Sequence, residues 1–202
     1  MSIEIRNIPS GKLEVRSADG KRTLYGVAAP FDSLSQLLGG PSGNFRETIQ
    51  PGAFSKSLRS NPDVRLSADH DLSVSKILAR TSAGTMNLRE GSTGLELEAS
   101  LPATRFADDI LESINRGDVD GLSISFSADE DSWENSSTGV VRTLRAVTLG
   151  PEISIVASPA YRQTSINLRS CPADIASLLS GDDASFDFKR HAALQLALRR
   201  TR

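Results

Sequence analysis

Two histidines, His70 and His191, limit the acid–base chemistry open to this chain. Hydroxyls are more plentiful, and three of them fall in a pattern. After a turn-forming stretch, Asp118-Val119-Asp120-Gly121, the residues Leu122, Ile124 and Phe126 alternate with Ser123, Ser125 and Ser127. Such alternation predicts a strand with one apolar face and one face of hydroxyls. The ordinary reading of that second face is solvent. The sharper reading is a serine nucleophile on a rigid element, which holds a reacting group better than a loop does. A serine nucleophile needs a base to take its proton and a third group to orient the base. His191 stands beside Lys189 and Arg190 and reads as a solvated helix residue, so the base is His70. His70 follows Val64, Leu66 and Ala68 at the same parity, ending the apolar face of a strand, with Asp69 and Asp71 on either side. Glu152 opens a largely apolar strand in which Ile153, Ile155 and Ala157 face one way and Glu152, Ser154 and Val156 the other. It is the candidate orienting carboxylate, against the commoner reading of a solvated glutamate at a strand end. Ser123 and Ser125 share a face, and alternation alone does not choose between them. The order His–Ser–acid is not that of chymotrypsin, subtilisin or the α/β-hydrolases, and no Gly-x-Ser-x-Gly elbow is present.

Composition narrows the alternatives. A length of 202 residues suits one domain with an extension. The net charge of −2 supplies no basic field, so a general nucleic-acid binder is not expected. A single cysteine, Cys171, excludes an internal disulfide and a cysteine-based metal site, and fits a reducing compartment. No apolar run reaches the roughly 20 residues of a membrane helix, and the first residues lack the apolar centre of a signal peptide.

The elements that must position these groups are mostly strands. Residues 3–5, 13–15 and 22–29 read as consecutive, antiparallel strands. Residues 32–44, rich in Ser, Gly and Pro, predict a loop. Phe45 to Ile49 predicts a short strand, and residues 51–58 one short helix with Ala53, Phe54 and Leu58 as its apolar stripe. Residues 76–101 continue in strands, with Leu95, Leu97, Ala99 and Leu101 alternating against Glu96, Glu98 and Ser100. The period then changes. Thr104 is an N-cap, Ala107, Ile110, Leu111 and Ile114 recur at helical spacing, and Gly117 closes the helix just before the Ser123 strand. Residues 129–139 predict a polar hairpin loop and 140–149 a further strand. Beyond residue 169 the chain turns acidic and then basic, as in a terminal helix that orders on a partner.

Taken together, these pieces resemble a known family. Gly26-Val27-Ala28-Ala29-Pro30-Phe31, Glu47 with Pro51-Gly52-Ala53-Phe54, His70-Asp71, Thr93-Gly94-Leu95, Arg116-Gly117-Asp118-Val119, Gly121 to Phe126, and Glu152 to Val156 with Pro159-Ala160-Tyr161 stand in the order and spacing of the prohead proteases of tailed bacteriophages. These are capsid maturation enzymes related in fold to the herpesvirus assemblins. The resemblance implies Ser123 as nucleophile and His70 as base, with Glu152 in the third place. It implies a closed β-barrel with helices packed outside, which with the strand-rich pattern gives an α+β, mainly β class, a closed antiparallel β-barrel with surrounding helices; the change of composition near residue 169 divides the chain into a protease domain over 1–168 and a helical tail over 169–202. The resemblance implies a serine endopeptidase that needs no cofactor or metal and cleaves major capsid protein and scaffold, and itself, inside the assembling procapsid in the bacterial host cytoplasm. Neither nucleic acid nor membrane is an expected partner; a homo-oligomer is compatible with it. The chain departs from the family at Ser125, where a glycine is usual, and at residues 75–80, where a Pro-Leu-Gly-like turn is usual.

Two other readings compete. One is a non-catalytic assembly module of the same fold, binding scaffold or coat protein; the presence of all three candidate groups argues against it. The other is a metal-dependent hydrolase using Asp69, His70 and Asp71. Neighbours on a strand point to opposite faces, and no His-x-x-x-His pair is present.

Overall fold

Alternating apolar residues make strands, and a buried face needs a second layer to cover it. In the computed structural model, which describes residues 3–9, 13–18, 21–40, 43–136 and 139–157, two sheets cover each other. The first, four-stranded sheet is built from β2 (Glu14–Ala18), β3 (Lys21–Pro30), β8 (Met86–Glu90) and β9 (Gly94–Ser100), in the order β2-β3-β9-β8 and antiparallel throughout. The second sheet has seven strands. Its spine is β1 (Glu4–Pro9), β10 (Gly121–Ser136), β11 (Gly139–Val156), β5 (Gly43–Ile49) and β4 (Leu38–Gly40). Beside that spine, β6 (Arg65–Ala68) pairs with β11 and with β7 (Ala79–Arg80). Leu24, Ala28, Leu95, Leu97 and Ala99 from one sheet meet Leu122, Ile124, Phe126, Ile153 and Ile155 from the other in one core.

The expected closed barrel is not what forms. Among the described residues pairing stops at β1, β4 and β7 in one sheet and at β2 and β8 in the other, leaving two open sheets packed face to face. The mainly β, α+β class stands. A sandwich and a barrel share the same in–out alternation; closure depends on which strands pair and in what register, which alternation does not encode. The helical tail expected over residues 169–202 lies outside the described residues.

The long strand β11 organises the larger sheet. On one edge it takes β10 antiparallel; on the other it takes β5 parallel at Val141–Leu144 and β6 parallel at Glu152–Ile155. Between those two pairings, the turns and short helix α1 (Ser55–Arg59) continue the edge: Val147 N–H donates to Ala53 O at 2.9 Å and Leu149 N–H to Ser57 Oγ at 2.9 Å.

Several local expectations shift. The helix expected from residue 51 begins at Ser55, after turns. The loop expected at 32–44 yields β4 at its end, paired with β5. The polar residues 129–136, expected in a loop, extend β10 into a long ribbon with β11, where Trp133 lies against Phe45 with ring centroids 4.9 Å apart. Polarity misled because the partners of these residues lie elsewhere in the chain: Asp131 accepts from Arg142, and β11 here also carries β5 on its other edge.

The second helix, α2 (Arg105–Arg116), forms as its sequence predicts. Thr104 accepts from Ala107 N–H at 3.3 Å, Ala107, Leu111 and Ile114 are buried, and Gly117 ends the helix at φ 79°. Thr104→Ala removes that cap and is expected to cost about 1 kcal/mol, read as a lower urea midpoint with unchanged slope.

Candidate active site

The hydroxyl face of β10 is not a solvated face. Ser123 is fully buried, and Ser125 and Ser127 nearly so. Register carries this face across the sheet: Ser123 on β10 stands opposite Ser154 on β11, and Ser154 stands opposite Ser67 on β6. Glu152, two residues before Ser154, points to the same side.

His70 reaches this face by a route that strand parity does not give. The strand β6 stops at Ala68, and Asp69 and His70 adopt left-handed backbone conformations, at φ 55° and 59°. Asp71 N–H closes the reversal on Ala68 O at 3.1 Å, and Asp69 N–H donates to Ile155 O at 2.9 Å. The chain therefore folds back, and His70 joins the polar row rather than ending the apolar one. Its Nδ1 is hydrogen-bonded to Glu152 Oε1, and its main-chain N–H donates to Ser154 Oγ at 2.8 Å. The imidazole is about a third exposed while Glu152 is 10% exposed, so a sheltered carboxylate holds a ring that faces outward. Asp69 and Asp71, the other carboxylates near His70, are exposed. Asp71 accepts from Ser73 N–H at 2.9 Å, a bond that holds its carboxyl below the usual carboxylate range.

The two candidate hydroxyls differ in what they do. Ser125 Oγ donates to Glu152 O at 2.8 Å and accepts from Glu152 N–H at 3.2 Å. It fills a bulge in β11, where Gly150, Pro151 and Glu152 lie between the partners of Phe126 and Ile124. A side chain at position 150 would put its Cβ 2.5 Å from Ser125 Oγ, so glycine is required there. Proline, which has no N–H to give a ladder, is at home in such a bulge. Ser123 Oγ, by contrast, has no hydrogen-bond partner among the described residues. Asp129 Oδ1, Ser132 Oγ and Trp133 Nε1 share that condition; what sets Ser123 apart is its place on the face that carries Glu152 and Ser154.

Sequence reasoning named Ser123, His70 and Glu152, and the structure brings His70 and Glu152 into contact while placing Ser123 one strand away, across Ser154. It missed Ser154 and Ser67. The Glu152-Ile153-Ser154 parity carried the signal for Ser154, since it shares a face with the carboxylate. It also missed a buried ion network in the same sheet, on the face opposite Ser123. Arg6 donates to Glu47 at 2.8 and 2.9 Å and to Glu4 at 2.6 Å; Arg142 donates to Glu4 at 2.7 and 3.1 Å, to Glu47 at 3.1 Å and to Asp131 at 2.7 Å. Burial alone would raise the Glu4 carboxyl, but the hydrogen bonds and charges of Arg142 and Arg6 outweigh it and hold the group below its ordinary value. Burial would likewise weaken the charge on Arg142; its carboxylate partners raise its pKa instead. This network fastens β1 to the sheet at β11 and β5, and β1 in turn sets Asn7 opposite Ser123.

Among solved structures, the chain resembles the capsid assembly protease gp21 of bacteriophage T4, at 11% identity and a TM-score of 0.48, over 78% of this chain and 97% of that one. No curated protein matches it significantly. The family model described as caudovirus prohead serine protease matches residues 11–175, a span that takes in β2 to β11 and both helices. By that match the chain belongs to the caudovirus prohead serine protease family.

Proposed function

We propose that the chain is the serine endopeptidase that processes major capsid protein and scaffold inside an assembling procapsid, and cleaves itself as well. Family membership supports a protease acting in capsid maturation. In this reading Ser123 Oγ attacks the scissile carbonyl, and His70 takes its proton through Nε2 and returns it to the leaving amine. Glu152 holds the ring by Nδ1, fixes the tautomer with Nε2 free, and offsets the charge of the imidazolium as it forms. The observation that carries the assignment is the His70–Glu152 hydrogen bond on the same sheet face as a buried serine hydroxyl that has no partner among the described residues. Ser123 and His70 are not hydrogen-bonded to each other here, so the imidazole must close on the hydroxyl to about 3 Å when substrate arrives. Ser125 serves the backbone instead, since both its hydrogen bonds go to the main chain of Glu152.

The test is co-expression with the coat protein of the same phage, followed by mass measurement of the coat N-terminus. A trimmed coat protein with the parent chain, and an untrimmed one with His70→Ala, is the expected result. Untrimmed coat protein in both, with the two proteins co-purifying, would favour a non-catalytic assembly module.

Glu152→Gln keeps the size of the side chain and removes its charge. The cleavage rate is expected to fall by about 10²-fold to 10⁴-fold, and less than in His70→Ala, because the base survives while its support is lost. Initial rates on purified coat protein give the comparison. An unchanged rate would remove Glu152 from the triad and turn attention to Asp69 and Asp71.

A further inference from the structure

Ser154 lies at the centre of the polar row, and no step of the proposed reaction uses it. It is fully buried on β11, with Ser123 its neighbour on β10 and Ser67 its neighbour on β6. Its Oγ accepts the main-chain N–H of His70 at 2.8 Å and the hydroxyl of Ser67 at 3.3 Å. A hydroxyl has two acceptor sites, so both bonds can form together. Its own hydrogen points to Ile155 O at 3.4 Å.

The residue it holds needs holding. Asp69 and His70 are consecutive residues in the left-handed region, a conformation that persists in residues with a Cβ only when the surroundings over-determine it. Neighbouring strands lie about 4.8 Å apart, so β6 and the Ser123 strand are roughly 10 Å apart across β11. An imidazole that starts from the end of β6 serves Ser123 only if its turn folds back over β11. Two residues of β11 on one face take hold of it: Glu152 grips the ring and Ser154 the main chain.

We propose that Ser154 is a positioning residue for the base, setting the backbone of His70 so that its ring, already held by Glu152, faces the Ser123 hydroxyl. This rests on the assignment of Ser123 and His70 above. Loss of the hydroxyl leaves the His70 N–H without its acceptor and frees the turn. A displacement of about 1 Å in a catalytic group costs about 10²-fold in rate, and substrate binding does not depend on it.

The experiment uses the full chain and purified coat protein of the same phage. Ser154→Ala is expected to lower kcat by about 10-fold to 100-fold with KM within about twofold of the parent. Ser154→Thr, which keeps the hydroxyl, is expected to restore most of the rate; Ser154→Cys, of serine's shape with a weak acceptor, should fall between. In a His70→Ala background, Ser154→Ala should cost nothing further, because the residue acts through the histidine. A readout independent of activity is the ¹⁵N spectrum of the His70 imidazole, identified by its absence in His70→Ala: one fixed tautomer in the parent, a mixture in Ser154→Ala. Parent-like kcat in Ser154→Ala would overturn the proposal. So would a loss of kcat unaffected by the His70→Ala background, or an unchanged imidazole spectrum. Full activity in Ser123→Ala or His70→Ala would instead sink the underlying triad, a result that Ser154 variants cannot produce.

Discussion

Ser123→Ala is expected to reduce coat-protein cleavage by roughly 10⁴-fold or more, because in the proposed mechanism Ser123 and His70 act as a unit and the loss of one removes nearly all their joint effect. Stability should not fall with it. Deleting a buried hydroxyl that has no partner among the described residues gives up no hydrogen bond within them, so the melting temperature should hold or rise. That pairing of outcomes separates a nucleophile from a structural serine. Ser125→Ala should show the opposite balance, since two bonds to the Glu152 main chain go with the hydroxyl. Cleavage retained in Ser123→Ala and lost in Ser125→Ala would show that the other hydroxyl attacks.

Arg142→Ala should cost about 3–5 kcal/mol of folding stability. Arg142 is 1% exposed and donates to three carboxylates, those of Glu4, Glu47 and Asp131. Its removal leaves the buried carboxylates of Glu4 and Glu47 with Arg6 as their cation among the described residues, and an uncompensated buried charge is among the largest single losses a fold can suffer. Urea denaturation measures it; a loss below about 1 kcal/mol would mean that the network contributes little net stability. Acid should probe the same network. The Glu4 carboxyl titrates below its ordinary value in the folded chain, so its contribution is present above about pH 4.5 and is lost as pH falls through the depressed folded value. The midpoint should therefore drop on acidification below pH ~4.5, and drop less in Arg142→Ala, where part of the linkage is already gone.

The sequence spoke clearly where one local signal was enough. The α2 helix carried a cap, a period and a glycine stop, and all three appear in place. The Ser123 strand carried a turn and a strict alternation. His70 stood out because the chain has only two histidines, whereas Glu152 was one of 25 acidic residues and was singled out by its place at the start of an apolar strand and by the family resemblance. What stayed hidden depends on partners far along the chain. The β1 strand read as the neighbour of β2, yet it pairs with β10 in the other sheet, and its charged residues Glu4 and Arg6 are buried because Arg142 and Glu47 are there to meet them. Charged residues alternating on a strand read as a solvated face until the partner strand is known. His70 was placed on the apolar face because strand parity was carried one turn too far; two left-handed residues reverse it. Burial of Ser123 was equally out of reach, since alternation marks a face as polar without saying what covers it.

The position of β11 in the chain bears on when this protein can first act. It is the last strand of the described residues, and β10, β5 and β6 all hydrogen-bond to it. Contacts such as Arg142 to Glu4 span 138 residues. A topology so dominated by distant pairings folds slowly, because the closure entropy of long loops is spent before any contact rewards it. During synthesis, a chain that has not yet produced residues 152–155 has neither the carboxylate nor the strand that would hold His70. On the proposed assignment the order of translation delays proteolytic competence: the nascent chain passes most of its length as an incomplete sheet, and the strand that holds His70 through Glu152 and Ser154 is made after both His70 and Ser123.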